Sequence, residues 1–183
     1  MNQPPRRPEQ RNQTHQNRQS NFQGGERQQQ SDTAQEIINT IKDLRTIEGE
    51  AGSLKDYSIR TMVEQAEAFG LELKRQRLET NQVRKFLDAL NQIKAKLPQV
   101  DEEVSNLKLT FEEKEKIKFG KIESDIVLLK PKLAYAAARQ DAVKSLNRVI
   151  AEAIDKVHSK ADFERLVQLM ESIIAYHKAA GGK

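Results

Sequence analysis

A stripe of basic and aromatic residues in the segment LLKPKLAYAAAR (128–139) has the residue types needed for contact with RNA. Lys132, Tyr135 and Arg139 stand at positions i, i+3 and i+7, so a helix would carry them along one side. An arginine pairs with a phosphate through two hydrogen bonds, and a tyrosine stacks on a base or donates to a phosphate. The same spacing also suits an alanine-rich packing helix with Tyr135 half buried. This segment alone leaves both interpretations open.

A second basic row lies in the segment 80–97. At 100° per residue, Lys85, Gln92 and Lys96 lie opposite the apolar face of the predicted helix, and Arg84 lies on its flank. Such a row can meet a sugar-phosphate backbone. Charged outer faces of helices more often serve solubility alone, so this row by itself does not favour RNA binding.

The residue types that catalytic and metal centres need are scarce or badly spaced. The chain has no cysteine, which excludes disulfides, thiolate nucleophiles and cysteine-bound zinc. Its three histidines lack the spacing of a metal site: His15, His158 and His177. The carboxylate pairs Glu102-Glu103 and Glu112-Glu113 lie in the most charged stretch, where a solvated helix face is the expected role. We therefore expect neither enzymatic activity nor a metal or cofactor.

The composition predicts one polar domain with a distinct N-terminal tail. Of 183 residues, 37% are hydrophobic and 32% are charged, and no apolar run approaches the roughly 18 residues that cross a bilayer. Residues 1–31 are rich in Gln, Asn and Arg and hold five arginines against two glutamates, whereas 26 basic and 25 acidic residues nearly balance in the remainder. We predict a disordered tail over residues 1–31, a folded domain over residues 32–183, and a cytoplasmic protein without a membrane segment.

Apolar residues recur at helical spacing through most of residues 32–183. The residues at three positions are typical of helix starts: a capping-box pattern at Thr33–Glu36, Thr80, and a second capping pattern at Ser159–Asp162. Two residues are typical of helix ends. Gly70 is expected to cap the second helix, and Pro98 is expected to end the third.

Two stretches are less regular. Residues 101–121 contain six acidic and five basic residues, a pattern that suits a solvated helix or a loop with helical pieces. Pro131 disfavours helix at the residue before it and favours a helix start, so we expect a fresh helix near Pro131. No segment alternates between apolar and polar with period two. The sequence therefore predicts an all-α protein, a compact bundle of about five or six helices.

Three segments in order carry a resemblance to a known family: TNQVRKFLDAL (80–90), LLKPKLAYAAAR (128–139) and AYHKAAGGK (175–183). Together they resemble the small subunit of type III-A CRISPR effector (Csm) complexes, over roughly Thr80 to Lys183. The resemblance implies a helical bundle without nuclease activity, several copies of which stack head to tail. It also implies contact with the guide–target duplex, mainly its target strand.

The resemblance implies a set of partners and of RNA-contacting residues. The partners are the guide RNA, the target RNA, the backbone and large CRISPR subunits, and further copies of the chain itself. The matching basic and aromatic positions are Arg84, Lys85, Lys130, Lys132, Tyr135, Arg139 and Lys178. Two other classes stay open: a helical adaptor that binds only protein, and a stand-alone RNA-binding protein that acts through its basic tail.

Overall fold

The computed structural model describes residues 32–182, apart from the side chain of Gln82. Seven α-helices form in this range: α1 (Thr33–Lys42), α2 (Ile59–Arg75), α3 (Thr80–Ser105), α4 (Phe111–Val127), α5 (Leu129–Arg139), α6 (Lys144–Asp155) and α7 (Lys160–Ala179). Short 3-10 turns cover Leu54–Asp56 and Asp141–Val143. No strand forms within these residues, so the predicted all-α bundle is confirmed. The predicted tail over residues 1–31 lies outside the described residues.

Helix α7 forms the centre of the bundle and packs against α2, α3 and α4, while α1 and α5 both pack on α6. Its fully buried residues recur every three or four positions and include Phe163, Leu166, Met170 and Ile173. Each other helix turns one apolar stripe toward this core, which is what the helical spacing in the sequence predicts. Among the helices described, none combines the length and apolar character that a bilayer crossing requires.

Gly70 does not end α2, which continues to Arg75, so the predicted cap is wrong. The residue lies where the backbones of α2 and α7 come close together. A Cβ atom on Gly70 would lie 2.6 Å from the backbone nitrogen of His177 and 2.8 Å from the carbonyl carbon of Tyr176. Gly70 is therefore a packing residue, needed because two helix backbones meet there.

Pro98 does not end α3 either, because the helix runs through it to Ser105. A proline removes one intrahelical hydrogen bond, and tertiary contacts beyond it offset that loss. Val104 is buried, and Asp101 pairs with Lys118 of α4 at 3.1 Å and with Lys160 of α7 at 3.0 Å. The hydrogen bond from Lys160, followed by that from Lys118, holds the pKa of Asp101 below its ordinary value. Residues 101–105 thus belong to α3.

The predicted helix starts are partly correct. Ser159 caps α7 and accepts a hydrogen bond from the backbone nitrogen of Asp162 at 3.2 Å, as predicted. Asp32 rather than Thr33 caps α1, and Thr80 is the first residue of α3 rather than its cap. Helix α5 begins two residues before Pro131, within the first turn where proline is tolerated.

Asp162 also holds the segment before α2 onto the start of α7. Its buried carboxylate accepts hydrogen bonds from the Ser53 hydroxyl at 2.7 Å and from the Lys55 backbone nitrogen at 2.6 Å. It further accepts from the Ser159 hydroxyl at 2.7 Å and from the His158 backbone nitrogen at 3.1 Å. A residue in the first turn of α7 therefore makes a tertiary contact that its local sequence does not show.

His177 in the last turn of α7 is fully buried, and neither ring nitrogen has a hydrogen-bond partner within the described residues. The chain closes over the imidazole through Gly181 and Gly182. Gly181 adopts φ +85° and donates to the carbonyl of Lys178 at 2.9 Å, and Gly182 donates to that of His177 at 3.0 Å. Burial lowers the pKa of His177 below its usual value, which favours the neutral ring in the folded protein.

We expect acid to destabilise the fold below about pH 6.5 through His177, because the unfolded chain binds a proton there more readily than the folded chain does. The contribution of His177 to the free energy of unfolding is complete above the pKa of the unfolded-state imidazole. Below that pKa the free energy of unfolding falls by up to about 1.4 kcal/mol per pH unit. Urea unfolding at pH 7.5, 6.5 and 5.5 measures this slope. His177→Gln should flatten it and the exposed control His158→Gln should keep it; an unchanged slope in His177→Gln would contradict the assignment.

Candidate nucleic-acid interface

A groove of about 490 Å³ separates α3 from α5. Four of the seven predicted RNA-contacting residues line it together: Lys85 from α3, and Lys132, Tyr135 and Arg139 from α5. Apolar side chains form most of the rest of its wall, namely Leu78, Phe86, Ala89, Leu129, Leu133, Ala136, Val143 and Leu146. The tertiary structure therefore joins two basic segments that lie more than 40 positions apart in the chain.

The packing of α5 and α3 decides which side chains reach the groove. Helix α5 packs mainly on α6 and buries Leu129, Leu133 and Ala137, which leaves the Lys132–Arg139 stripe exposed. On α3, Phe86 is buried and its neighbour Lys85 is exposed. Adjacent positions on a helix point about 100° apart, so one helix supplies both an apolar wall and a cationic edge.

Tyr135 is 65% exposed, which excludes the half-buried packing role that the sequence left open. Arg139 lies one turn further along α5 and donates from Nη1 to the tyrosine hydroxyl at 3.0 Å. Its guanidinium carbon is 5.5 Å from the centroid of the ring, within the range of a cation–π contact. The two side chains thus hold each other at the edge of the groove.

The groove is electropositive because its lining contains three basic side chains and no carboxylate. Lys85, Lys132 and Arg139 form no ion pair within residues 32–182. Lys96 on the same helix differs, since it pairs with Asp125 of α4 at 2.6 Å. An anionic ligand entering the groove would meet three cations that no carboxylate pairs within 4 Å.

Three of the predicted residues lie outside the groove. Lys130 turns toward α6, where its Nζ lies 2.6 and 2.7 Å from the two carboxylate oxygens of Asp155. Arg84 and Lys178 are exposed but line no part of the groove. The RNA role of these three residues stays a prediction.

The apolar wall and Gln140 are parts of the site that the sequence pattern does not predict. Phe86 and Leu133 fall on apolar helix faces, so the sequence pattern assigns them to the core. They line a groove only because α3 and α5 do not close upon each other. The spacing of Leu129, Leu133 and Ala136 beside Lys132 and Tyr135 is the signal that could have indicated a mixed apolar and basic face.

Two of the carboxylates singled out in the sequence serve an ion pair and a helix cap. Glu103 is exposed and pairs with Lys121, which lowers the pKa of its carboxyl group. Hydrogen bonds from Thr110 likewise lower the pKa of Glu113, in a capping box that starts α4. Within residues 32–182, no group of three or more histidine or acidic side chains could hold a metal ion.

The fold and the groove define a small helical-bundle protein that presents an electropositive, partly apolar cleft. The family model described as Csm2 Type III-A matches residues 56–183, which include α2 to α7 and the whole groove. The chain therefore belongs to this family and is a small subunit of the type III-A Csm complex. The resemblance seen in the sequence is confirmed.

A curated relative agrees with this family. The chain is 27% identical over 108 residues to the "CRISPR system Cms protein Csm2" of Streptococcus thermophilus, an alignment that covers 58% of this chain and 75% of the relative. No solved structure is significantly similar to the chain. Helix α1 precedes the matched residues, although it packs on α6 and α2 within the same bundle.

Proposed function

We propose that this chain contacts the guide–target RNA duplex in the effector complex, mainly through the backbone of the target strand. The supporting observation is the groove between α3 and α5, where Lys85, Lys132 and Arg139 converge and the lining contains no carboxylate. A subunit that leaves sequence reading to a guide RNA should contact phosphates rather than base edges. The groove offers the charges for this contact.

The proposed contact is weak for one subunit and gains strength by repetition. Residues beyond the tail carry 26 basic and 25 acidic side chains, so the folded body has little net charge to attract RNA. Several copies stacked head to tail along one duplex would add their contacts and raise the overall affinity. We also propose that the subunit is non-catalytic and acts in the cytoplasm in antiviral defence, beside the backbone and large subunits.

The test is a tagged pull-down from native cells, with mass spectrometry of the proteins and sequencing of the bound RNA. We expect repeat-derived guide RNAs together with backbone and large CRISPR subunits, and only a small effect of deleting residues 1–31. Protein partners without RNA would favour a protein-only adaptor. Heterogeneous RNA without those subunits, lost on deletion of residues 1–31, would favour a stand-alone RNA-binding protein and contradict the proposal.

A further inference from the structure

We propose that the groove between α3 and α5 binds an unstacked nucleobase of the RNA strand, with phosphates held at its edges. This inference rests on the proposed function and specifies which part of the RNA enters the protein. The proposed function involves only the RNA backbone, whereas this inference adds a site for a base.

The volume and lining of the groove suit a small organic group with polar and apolar parts. A grip on phosphates alone needs an exposed basic surface and no cavity. Here the groove has about 490 Å³, within the range of about 300–1,000 Å³ that is typical of small-ligand sites. Eight of its thirteen lining residues are aliphatic or phenylalanine. Six of these eight are buried in the core and form the floor, whereas the half-buried Ala89 and Ala136 offer apolar surface to a base.

Tyr135 gives the groove an edge on which a base can stack. Its ring is 65% exposed and is held by Arg139, so it loses little conformational freedom when a ligand binds. Aromatic rings and guanidinium planes are the usual stacking partners of bases that leave an RNA helix. Stacking tolerates all four bases, which suits a subunit that must accept any target sequence.

Basic residues flank the groove on both helices. Lys85 stands on the α3 side, and Lys132 and Arg139 stand on the α5 side. A nucleotide that inserts its base between the helices leaves phosphates on either side of the groove, where these cations can meet them. An acidic peptide with one apolar side chain has similar charges but gains less from an exposed tyrosine–arginine edge, so we favour the nucleotide.

The experiment uses the assembled effector complex with its guide and a target RNA that carries 2-aminopurine at one position at a time. We expect the fluorescence to be quenched at defined positions, by stacking on Tyr135. Tyr135→Phe should retain the quenching. Tyr135→Ala should relieve it and weaken target binding by about tenfold, because the base loses its aromatic stacking partner.

A groove-filling variant tests the cavity without touching a charge. Ala136 is half buried in the groove wall, and Ala136→Leu should relieve the quenching while the salt dependence of binding stays that of the wild type. Target RNA with an abasic site at the reporting position should bind wild-type and Tyr135→Ala complexes equally. Thermal unfolding of each variant subunit confirms that the fold is intact.

The outcomes separate this inference from the proposed function. Fluorescence that is the same in wild-type, Tyr135→Ala and Ala136→Leu complexes would overturn base insertion, even if charge removal from Lys132 and Arg139 still weakened RNA binding. If the charge variants had no effect as well, both proposals would fail. If Ala136→Leu prevented the subunit from joining the complex, the groove would be a protein-docking site and base insertion would be wrong.

Discussion

Replacing Gly70 with alanine is expected to lower the free energy of unfolding by about 3 kcal/mol, although alanine is the better helix former. The added Cβ would lie 2.6 Å from the His177 nitrogen and 2.8 Å from the Tyr176 carbonyl carbon. Both are backbone atoms within α7, so they cannot move aside as a flexible side chain can. The helices must separate instead, which opens the core around Phe69 and Ile173.

Thermal and urea unfolding of the purified chain measure this effect. For a domain of about 150 residues, a loss of about 3 kcal/mol corresponds to a fall in Tm of roughly 6–12 °C. Gly120→Ala is the matched control, because Gly120 is exposed on α4 and a Cβ there meets nothing within 4 Å. That change should stabilise the protein by about 0.5–1 kcal/mol. Equal Tm values for the two variants would refute the close contact of α2 and α7.

The double substitution Lys132→Ala with Arg139→Ala is expected to weaken target-RNA binding by the assembled complex and to flatten its dependence on salt. Each phosphate contact on a single strand contributes about 0.7 to the slope of log affinity against log salt concentration. Loss of two contacts should therefore reduce the slope by about 1.4 for each RNA-bound copy. At low salt we expect at least a tenfold loss of affinity, since charge-assisted hydrogen bonds contribute about 1.5–3 kcal/mol each.

Titrations at several salt concentrations, with the guide and complex composition held constant, measure both quantities. Lys108→Ala with Lys116→Ala is the matched control, because it removes the same charge from exposed side chains that line no part of the groove. The control should leave the slope near that of the wild type. An equal loss of slope in both double variants would mean that overall charge, and not the groove, governs binding.

The helical content of this chain follows from local rules, and so do several of its helix boundaries. Apolar stripes of period 3.6 predicted the buried faces of α1, α6 and α7, and the Ser159–Asp162 pattern predicted the start of α7. The failures at Gly70 and Pro98 share one cause. Glycine and proline both tend to end helices, but tertiary packing decides otherwise here. Gly70 packs against α7, and Asp101 after Pro98 pairs with Lys118 of α4. A local sequence pattern does not contain the positions of these other helices.

The sequence by itself determined the all-α class, the family and the basic stripe on α5, because each depends on residue types at short spacing. Only the tertiary structure decided which charges act together. It paired Lys130 with Asp155 and brought Lys85 to the stripe of Lys132 and Arg139. The groove itself is a gap between two helices that both pack elsewhere, and such a gap depends on the whole bundle rather than on any one segment.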